Sequence, residues 1–169
     1  FVTVSVEVPE GQEADKYCWN IDGVVSNDPS QGSTDNQEFD LTVPELKECT
    51  MSLSKSSITV TPGLEGTFSV IFANDGNVDW TISVGKSGSK AGWVSVDGAS
   101  SGVLEYDDGT GTKTFDLIVS PDDSIEAGSE SLVAIQGKEG SSVKCTKEIR
   151  IISGQSHDAS LSLGSSFLP

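Results

Sequence analysis

The stretch GTFSVIFANDGNVDWTISV, residues 66 to 84, decides the fold. Apolar side chains recur at every second position in its first half, the polar segment Asn74 to Asn77 interrupts them, and the same period resumes at Trp80. A two-residue period places alternate side chains on opposite faces of an extended strand, so the stretch predicts two strands joined by a polar connection. Because each strand has one apolar face that needs a second sheet above it, we predict a β-sandwich.

Short alternating runs recur on both sides of this stretch, between turns rich in Gly, Pro and Asp. The clearest are Phe115 to Val119 and Val143 to Ile152, and a first strand split near Lys55 precedes them. Strands at this spacing are typical of immunoglobulin-like sandwiches. We therefore predict an all-β chain in which residues 49–153 form an immunoglobulin-like β-sandwich. The best helix candidate is Pro44 to Cys49, where we expect a single turn.

Several core and turn residues in this region follow the order of a known family. The order is PG-x-x-GTFSV-x-F-x-N-x-GN-x-DW-x-ISV, then WVSV, then a glycine-rich turn and TFDLIVSP. The matching positions are Pro62, Gly63, Asn74, Gly76, Asn77, Trp80, Trp93, Ser95, Gly111, Thr112 and Phe115. The region resembles immunoglobulin-like modules of secreted prokaryotic surface proteins, most of all BACON-type domains. The resemblance implies a surface or carbohydrate-degrading context and no site residue, and the closing glutamine segment usual in the family is absent.

An additional β segment occupies residues 1–48, before the sandwich. Its first eight residues, FVTVSVEV, alternate throughout and predict a strand with one apolar face, formed by Val2, Val4, Val6 and Val8. Two more short strands are predicted, around Trp19 and around Leu41. Three strands with so little apolar mass are marginal alone, so we expect this segment to rest on another surface.

A C-terminal extra strand is predicted in residues 154–169, beyond the last strand of the sandwich. Leu161 and Leu163 alternate there with serines, and SLSLGSSFL echoes SLSKSSITV near residue 52. Two interpretations stay open. The strand either begins a further domain of a repeat protein or leaves its own subunit to complete another.

Three cysteines, Cys18, Cys49 and Cys145, allow three single-bridge pairings and leave one thiol over. A bridge from Cys18 to Cys49 would stabilise the fold by ~3.5 kcal/mol. A bridge from Cys49 to Cys145 is nearly as attractive, because the first and last strands of an immunoglobulin-like sheet can run side by side in parallel. The sequence leaves these pairings open. Any of them would form in an oxidising compartment.

The chain is strongly acidic, with 26 Asp and Glu against 10 Lys and Arg and a formal net charge of -16. Such a surface repels phosphate backbones, which argues against nucleic acid and anionic membranes as partners. No run approaches the ~20 apolar residues that a membrane span needs. Because the chain starts at Phe1 and not at Met, we expect a mature secreted chain or a piece of a longer one, located outside the cell at its surface.

Catalytic constellations are missing from the sequence. The single histidine, His157, excludes most histidine-based triads and zinc centres, and the many serines lack a partnered base. Acid pairs at Asp107 and Asp108 and at Asp122 and Asp123 are adjacent on turns, and they cannot oppose each other across a glycosidic bond. We expect no enzymatic activity and no cofactor.

Two polar clusters could offer oxygen ligands to calcium, although neither has EF-hand spacing. One comprises Asp28, Asp35, Asn36, Glu38 and Asp40. The other comprises Asn74, Asp75, Asn77 and Asp79. Solvated turns are the favoured interpretation of both, and we predict no bound metal.

Exposed tryptophans can stack on sugars, so Trp19, Trp80 and Trp93 are candidates for a sugar-binding surface. Trp80 and Trp93 are in phase with core positions, which favours packing. Trp19, beside Cys18, is the one whose exposure needs testing.

The sequence favours a structural subunit of a cell-surface filament or adhesin, assembled as a homo-oligomer or polymer by strand exchange between copies. Residues 1–8 are the favoured donor strand, and an ordinary first strand of the N-terminal segment is the alternative interpretation. The alternative function is a carbohydrate-binding or spacer module of a larger secreted protein, with a glycan as partner.

Overall fold

The computed structural model describes residues 3–22, 36–107 and 110–155, which form eleven β-strands and a short 3-10 turn at Ala91–Trp93. The strands are β1 (Lys16–Asp22), β2 (Asn36–Thr42), β3 (Cys49–Leu53), β4 (Ser57–Val60), β5 (Gly66–Asn74), β6 (Trp80–Ser87), β7 (Val94–Val96), β8 (Ser101–Leu104), β9 (Thr112–Val119), β10 (Glu130–Glu139) and β11 (Ser142–Ser153). The predicted all-β class is confirmed. Within the described residues, no helix is long and apolar enough to cross a membrane.

Nine of these strands form an immunoglobulin-like sandwich. A five-stranded sheet in the order β4-β11-β10-β6-β8 packs on a four-stranded sheet in the order β3-β5-β9-β7. The first strand is split: β3 runs antiparallel to β5 in one sheet, and β4 runs parallel to β11 in the other. The chain crosses between sheets at Ser54 to Ser56, where two serines and a lysine interrupt the apolar alternation.

The core lies between the two sheets and is fully formed. Phe72, Ile82, Leu117, Ile135 and Ile149 have no exposed surface. The predicted pair β5 and β6 supplies both sides of this core, because the polar connection at residues 75–79 carries the chain from one sheet to the other. Trp80 and Trp93, only 4% and 5% exposed, pack in the core as their phase predicted.

A disulfide joins the sheets, from Cys49 at the start of β3 to Cys145 in β11. This is one of the pairings that the sequence left open, but its geometry differs from the expected one. Because the first strand is split, the half that runs beside β11 is β4, and Cys49 reaches Cys145 across the core from the opposite sheet. Cys18 is free and exposed.

Two local predictions were wrong. Residues 3–8 form no strand in this chain, and Val4, Val6 and Val8 are exposed. The segment Pro44 to Glu48 has no helical turn either. Its backbone groups bond to Asn77 and, at Glu48, to Asp75, so they are not available to one another.

The disulfide supplies the first prediction. Replacing both Cys49 and Cys145 with serine should lower the free energy of unfolding by about 4 kcal/mol, because the bridge spans 96 residues and restricts the unfolded chain. Urea denaturation followed by tryptophan fluorescence measures the change. A Cys18→Ser variant is the control and should unfold like the parent chain. A loss below about 1 kcal/mol would mean that the bridge is not a main constraint.

Candidate functional site

The two strands β1 and β2 form a separate antiparallel sheet, here called the ribbon. Its register places Trp19 opposite Phe39 and Tyr17 opposite Leu41, so the aromatic and aliphatic side chains share one face. This apolar face consists of Tyr17, Trp19, Ile21, Phe39 and Leu41. The polar face consists of Lys16, Cys18, Asn20, Glu38 and Asp40. The ribbon thus has one apolar and one polar face, which is the pattern of a strand pair that packs against an apolar layer.

The apolar face has no such layer within the described chain. Trp19 is 42% exposed, and Ile21 and Phe39 are each 39% exposed. The ring of Trp19 lies 6.0 Å from the ring of Tyr17 and 6.0 Å from that of Phe39, so the aromatic side chains contact mainly one another. None of the described side chains in residues 3–21 and 38–48 is buried. The ribbon face is therefore a candidate interaction surface.

Residues 3–8 lie along this face. Val6 and Val8 line a cavity of about 180 Å³ with Trp19 and Leu41, among other residues. Val4 lines a neighbouring hollow with Ile21 and other ribbon residues. The segment touches the ribbon through its side chains and, in the described part of the chain, makes no backbone hydrogen bonds there. Its three valines remain 42% to 57% exposed, so the cover is partial.

The polar face carries a small charged cluster. Lys16 Nζ lies 2.7 Å from Asp40, and the Cys18 thiol donates a hydrogen bond of 3.0 Å to the same carboxylate. The bonds from Lys16 and Cys18 lower the pKa of Asp40, and the bond to Asp40 raises the pKa of Cys18. Cys18 is therefore held as a neutral thiol and not as a reactive thiolate.

The first calcium candidate cluster is only partly placed. Asp28 and Asp35 lie outside the described residues. Asp40 is engaged by Lys16 and Cys18, and Glu38 is exposed on the same polar face. Among the described residues, no three His, Cys, Asp or Glu side chains gather in a way that could hold a metal ion.

The second calcium candidate cluster has a structural role. Asn74, 1% exposed, donates from Nδ2 to the carbonyls of Val78, Leu104 and Glu105. Its Oδ1 accepts from the indole of Trp80, as well as from the backbone N–H of Gly76. Because the amide is already saturated by protein groups, it has no oxygen left for a cation.

Asn77 fastens the ribbon region to the sandwich. Its Nδ2 donates to the carbonyls of Gln12 (3.0 Å) and Pro44 (3.1 Å), and its Oδ1 accepts from the N–H of Leu46 at 2.7 Å. Its backbone N–H donates to Leu46 O, and its carbonyl accepts from the N–H of Ala14. One residue on the sandwich therefore holds both chain segments that lead into and out of the ribbon. We call this set of bonds the Asn77 clasp.

Two further contacts support the clasp. The Tyr106 hydroxyl, from the loop after β8, donates to the carbonyl of Gly11. At Gly76, an added Cβ would lie 2.0 Å from the carbonyl oxygen of Leu46, so only glycine allows this close backbone approach. The clasp and these contacts fix the ribbon at one end of the sandwich.

The alternation in the sequence predicts the ribbon strands, but it gives no sign of the clasp. The sequence places Asn77 in a turn or a calcium-binding cluster, because asparagine is common in both. No sequence signal distinguishes an asparagine that bonds distant carbonyls from one that faces solvent. The other strand-exchange candidates, Val2, Leu161 and Leu163, lie outside the described residues, as does the single histidine, His157.

No family model matches this chain, and no curated protein matches it. Membership of the BACON-type family therefore stays a prediction. The structure itself defines the class more coarsely, as an immunoglobulin-like β-sandwich with an attached ribbon.

Solved structures show a general likeness of fold. Domains 4 and 5 of the S-layer protein SbsC match with a TM-score of 0.42 and 18% identity over 74% of this chain and 55% of theirs. A PapD-like domain of human CEP192 matches with a TM-score of 0.40 and 18% identity, over 65% of this chain and 87% of the domain. The E. coli chaperone DraB matches with a TM-score of 0.40 and 12% identity, over 62% and 54%.

The chain spans about half of the SbsC fragment and of DraB, and only 16% of the longer SbsC structure with domains 1–6. Identities this low describe shared architecture alone. We therefore base the functional proposal on the chain's own residues.

The clasp supplies the second prediction. Replacing Asn77 with alanine removes three side-chain hydrogen bonds and should release residues 9–15 and 44–46 from the sandwich. A glutamate-specific protease should then cut after Glu13 and Glu45 on the order of tenfold faster, since about 1.4 kcal/mol of lost local bonding increases the open fraction by that factor.

The matched control is Asn20→Ala, on the exposed polar face, which should leave the cleavage rate unchanged. Cleavage of the Asn77 variant at the parent rate would show that the clasp does not hold the ribbon.

Proposed function

We propose that this chain is a non-enzymatic extracellular structural protein whose copies assemble through the ribbon into a cell-surface filament or adhesin. The observation that carries the proposal is the incomplete ribbon. The sandwich buries its apolar faces against each other, whereas the ribbon leaves Trp19, Ile21 and Phe39 largely exposed. A two-stranded sheet without a covering layer is marginally stable, so a second molecule is the natural cover.

Strand exchange is the mode of assembly that these residues favour. Residues 3–8 alternate valine with more polar residues, and their backbone groups are unpaired as far as the described residues show. Each ribbon strand has one edge that is unpaired within the described part of the chain. An extended segment added at such an edge gains main-chain hydrogen bonds, while its alternate side chains fill hollows on one face. The proposal thus assigns Val4, Val6 and Val8 to the donor strand.

An extracellular location agrees with two properties of the chain. A disulfide between Cys49 and Cys145 persists in oxidising compartments and is rare in the cytosol. The net charge of -16 keeps individual subunits soluble and restricts contacts between copies to surfaces that are less charged. The apolar face of the ribbon is such a surface.

A carbohydrate-binding or spacer module is the second candidate, favoured by one observation. Tyr17 and Trp19 lie side by side with their rings 19° from parallel, and Trp19 is 42% exposed. Exposed aromatic rings of this kind can stack on sugar rings. This candidate requires specific binding on a glycan array that is lost in Trp19→Ala, together with a monomeric mass in solution.

The assembly proposal gives the third prediction. Val6→Asp should shift the multimers to monomers, because burying a carboxylate beside the aromatic face costs several kcal/mol. Multi-angle light scattering across a concentration series measures the mass, and deletion of residues 1–8 should have the same effect.

Val143→Asp is the matched control, since Val143 is 46% exposed against 44% for Val6 but lies on the sandwich. Its mass should equal that of the parent. Multimers that persist after deletion of residues 1–8 would rule out this donor strand.

A further inference from the structure

We infer that the acceptor for residues 3–8 is the apolar ribbon face of a second copy, at the same hollows that the segment lines in its own chain. This inference rests on the proposed function and names the receiving surface within it. The occupant is the same segment, so the exchange is a domain swap between identical chains.

Residues 3–8 can gain hydrogen bonds by leaving the ribbon of their own chain. In the described part of its own chain, the segment lines two hollows together with ribbon side chains, around Val6 and around Val4, and makes no backbone hydrogen bond to the ribbon. In a second copy the same valines can fill the same hollows, because the two ribbons are identical. If the segment pairs with an unpaired ribbon edge, it gains backbone hydrogen bonds that it does not make within the described part of its own chain. Exchange at that edge would therefore offer main-chain hydrogen bonds together with side-chain contacts to the apolar face.

Residues 3–8 can turn at Pro9, where they join the rest of the chain. Directly after Val8, the chain makes a tight turn in which the N–H of Gln12 donates to the carbonyl of Pro9, and Gly11 has a φ of 76°. The anchoring bonds to the sandwich begin only beyond this point, at Gly11 from Tyr106 and at Gln12 from Asn77. Residues 3–8 can thus change direction at Pro9 while the clasp stays intact.

The length and charge of residues 3–8 suit the ribbon of a second copy. Six extended residues span about 20 Å, close to the roughly 24 Å of the seven-residue strand β1. Glu7 is the only charged residue in the segment. A segment with one charge approaches a second acidic chain with little repulsion, compared with the rest of this surface.

The exchange also bears on the shape of the assembly that the copies would form. In the described part of the chain, the donor segment and the ribbon are two different surfaces, so a chain can give its strand to one neighbour and receive a strand from another. An interface between two different surfaces of this kind forms an open chain of subunits unless its rotation closes a ring. The inferred acceptor therefore agrees with a filament.

The test uses two single-cysteine partners in a Cys18→Ser background, with the Cys49–Cys145 disulfide intact. One partner carries Val6→Cys, and the other carries Leu41→Cys, which lines the same cavity. Because the two new thiols are on different chains, any link between them is intermolecular. The chains are mixed, treated with a short bismaleimide, and the linked peptides are quantified by mass spectrometry. Val43→Cys, also in that cavity, replaces Leu41→Cys if the latter weakens the ribbon.

We expect the Val6 to Leu41 link to exceed a control link from Val6→Cys to Val143→Cys by on the order of tenfold or more, because assembly increases the effective concentration of neighbouring thiols. Multimers without this link would overturn the acceptor assignment and leave the proposed function standing. Chains that stay monomeric at every concentration, with no link, would overturn both.

Discussion

An apolar strand face in water needs a second layer to cover it. The sandwich meets this requirement, and the ribbon meets it only in part. The two sheets of the sandwich cover each other completely, and residues such as Phe72 and Ile149 have no exposed surface. The ribbon has the same alternation of side chains but only a partial cover of three valines. The sandwich therefore covers its own apolar faces, whereas the ribbon leaves part of its apolar face exposed, and this difference is the basis of the proposed assembly.

The junction between these two parts determines how the ribbon is presented. Asn77 and Tyr106 bond to carbonyls at Gly11, Gln12 and Pro44, so the strands of the ribbon start and end at fixed points on the sandwich. A surface held in this way meets its partner with little loss of conformational freedom. Residues 3–8 lie outside the clasp, so the exchange that we propose would leave the bonds of the clasp intact. In this proposal, one chain combines an anchored acceptor with a donor segment that the clasp does not hold.

Much of the fold could be predicted because it depends on local alternation. The strand pattern around Phe68 and Trp80 indicated the sandwich and the burial of Trp80, and short runs at Trp19 and Leu41 indicated the ribbon strands. Two features depend on distant contacts and could not be predicted. Residues 3–8 alternate as a strand does, but a strand also needs hydrogen bonds to a neighbouring strand, and residues 3–8 make none within the described part of the chain. Asn77 is surrounded by turn residues, and its distant hydrogen-bond partners are defined only by the folded chain.

The most direct test of the account is amide hydrogen exchange across a dilution series of the intact protein. We expect the amides of β1 and β2 to exchange rapidly at low concentration and to gain protection as multimers form, while the amides of β5 and β9 stay equally protected throughout. Ribbon amides whose protection is strong and independent of concentration would contradict the account, because the ribbon would then be stable without a partner.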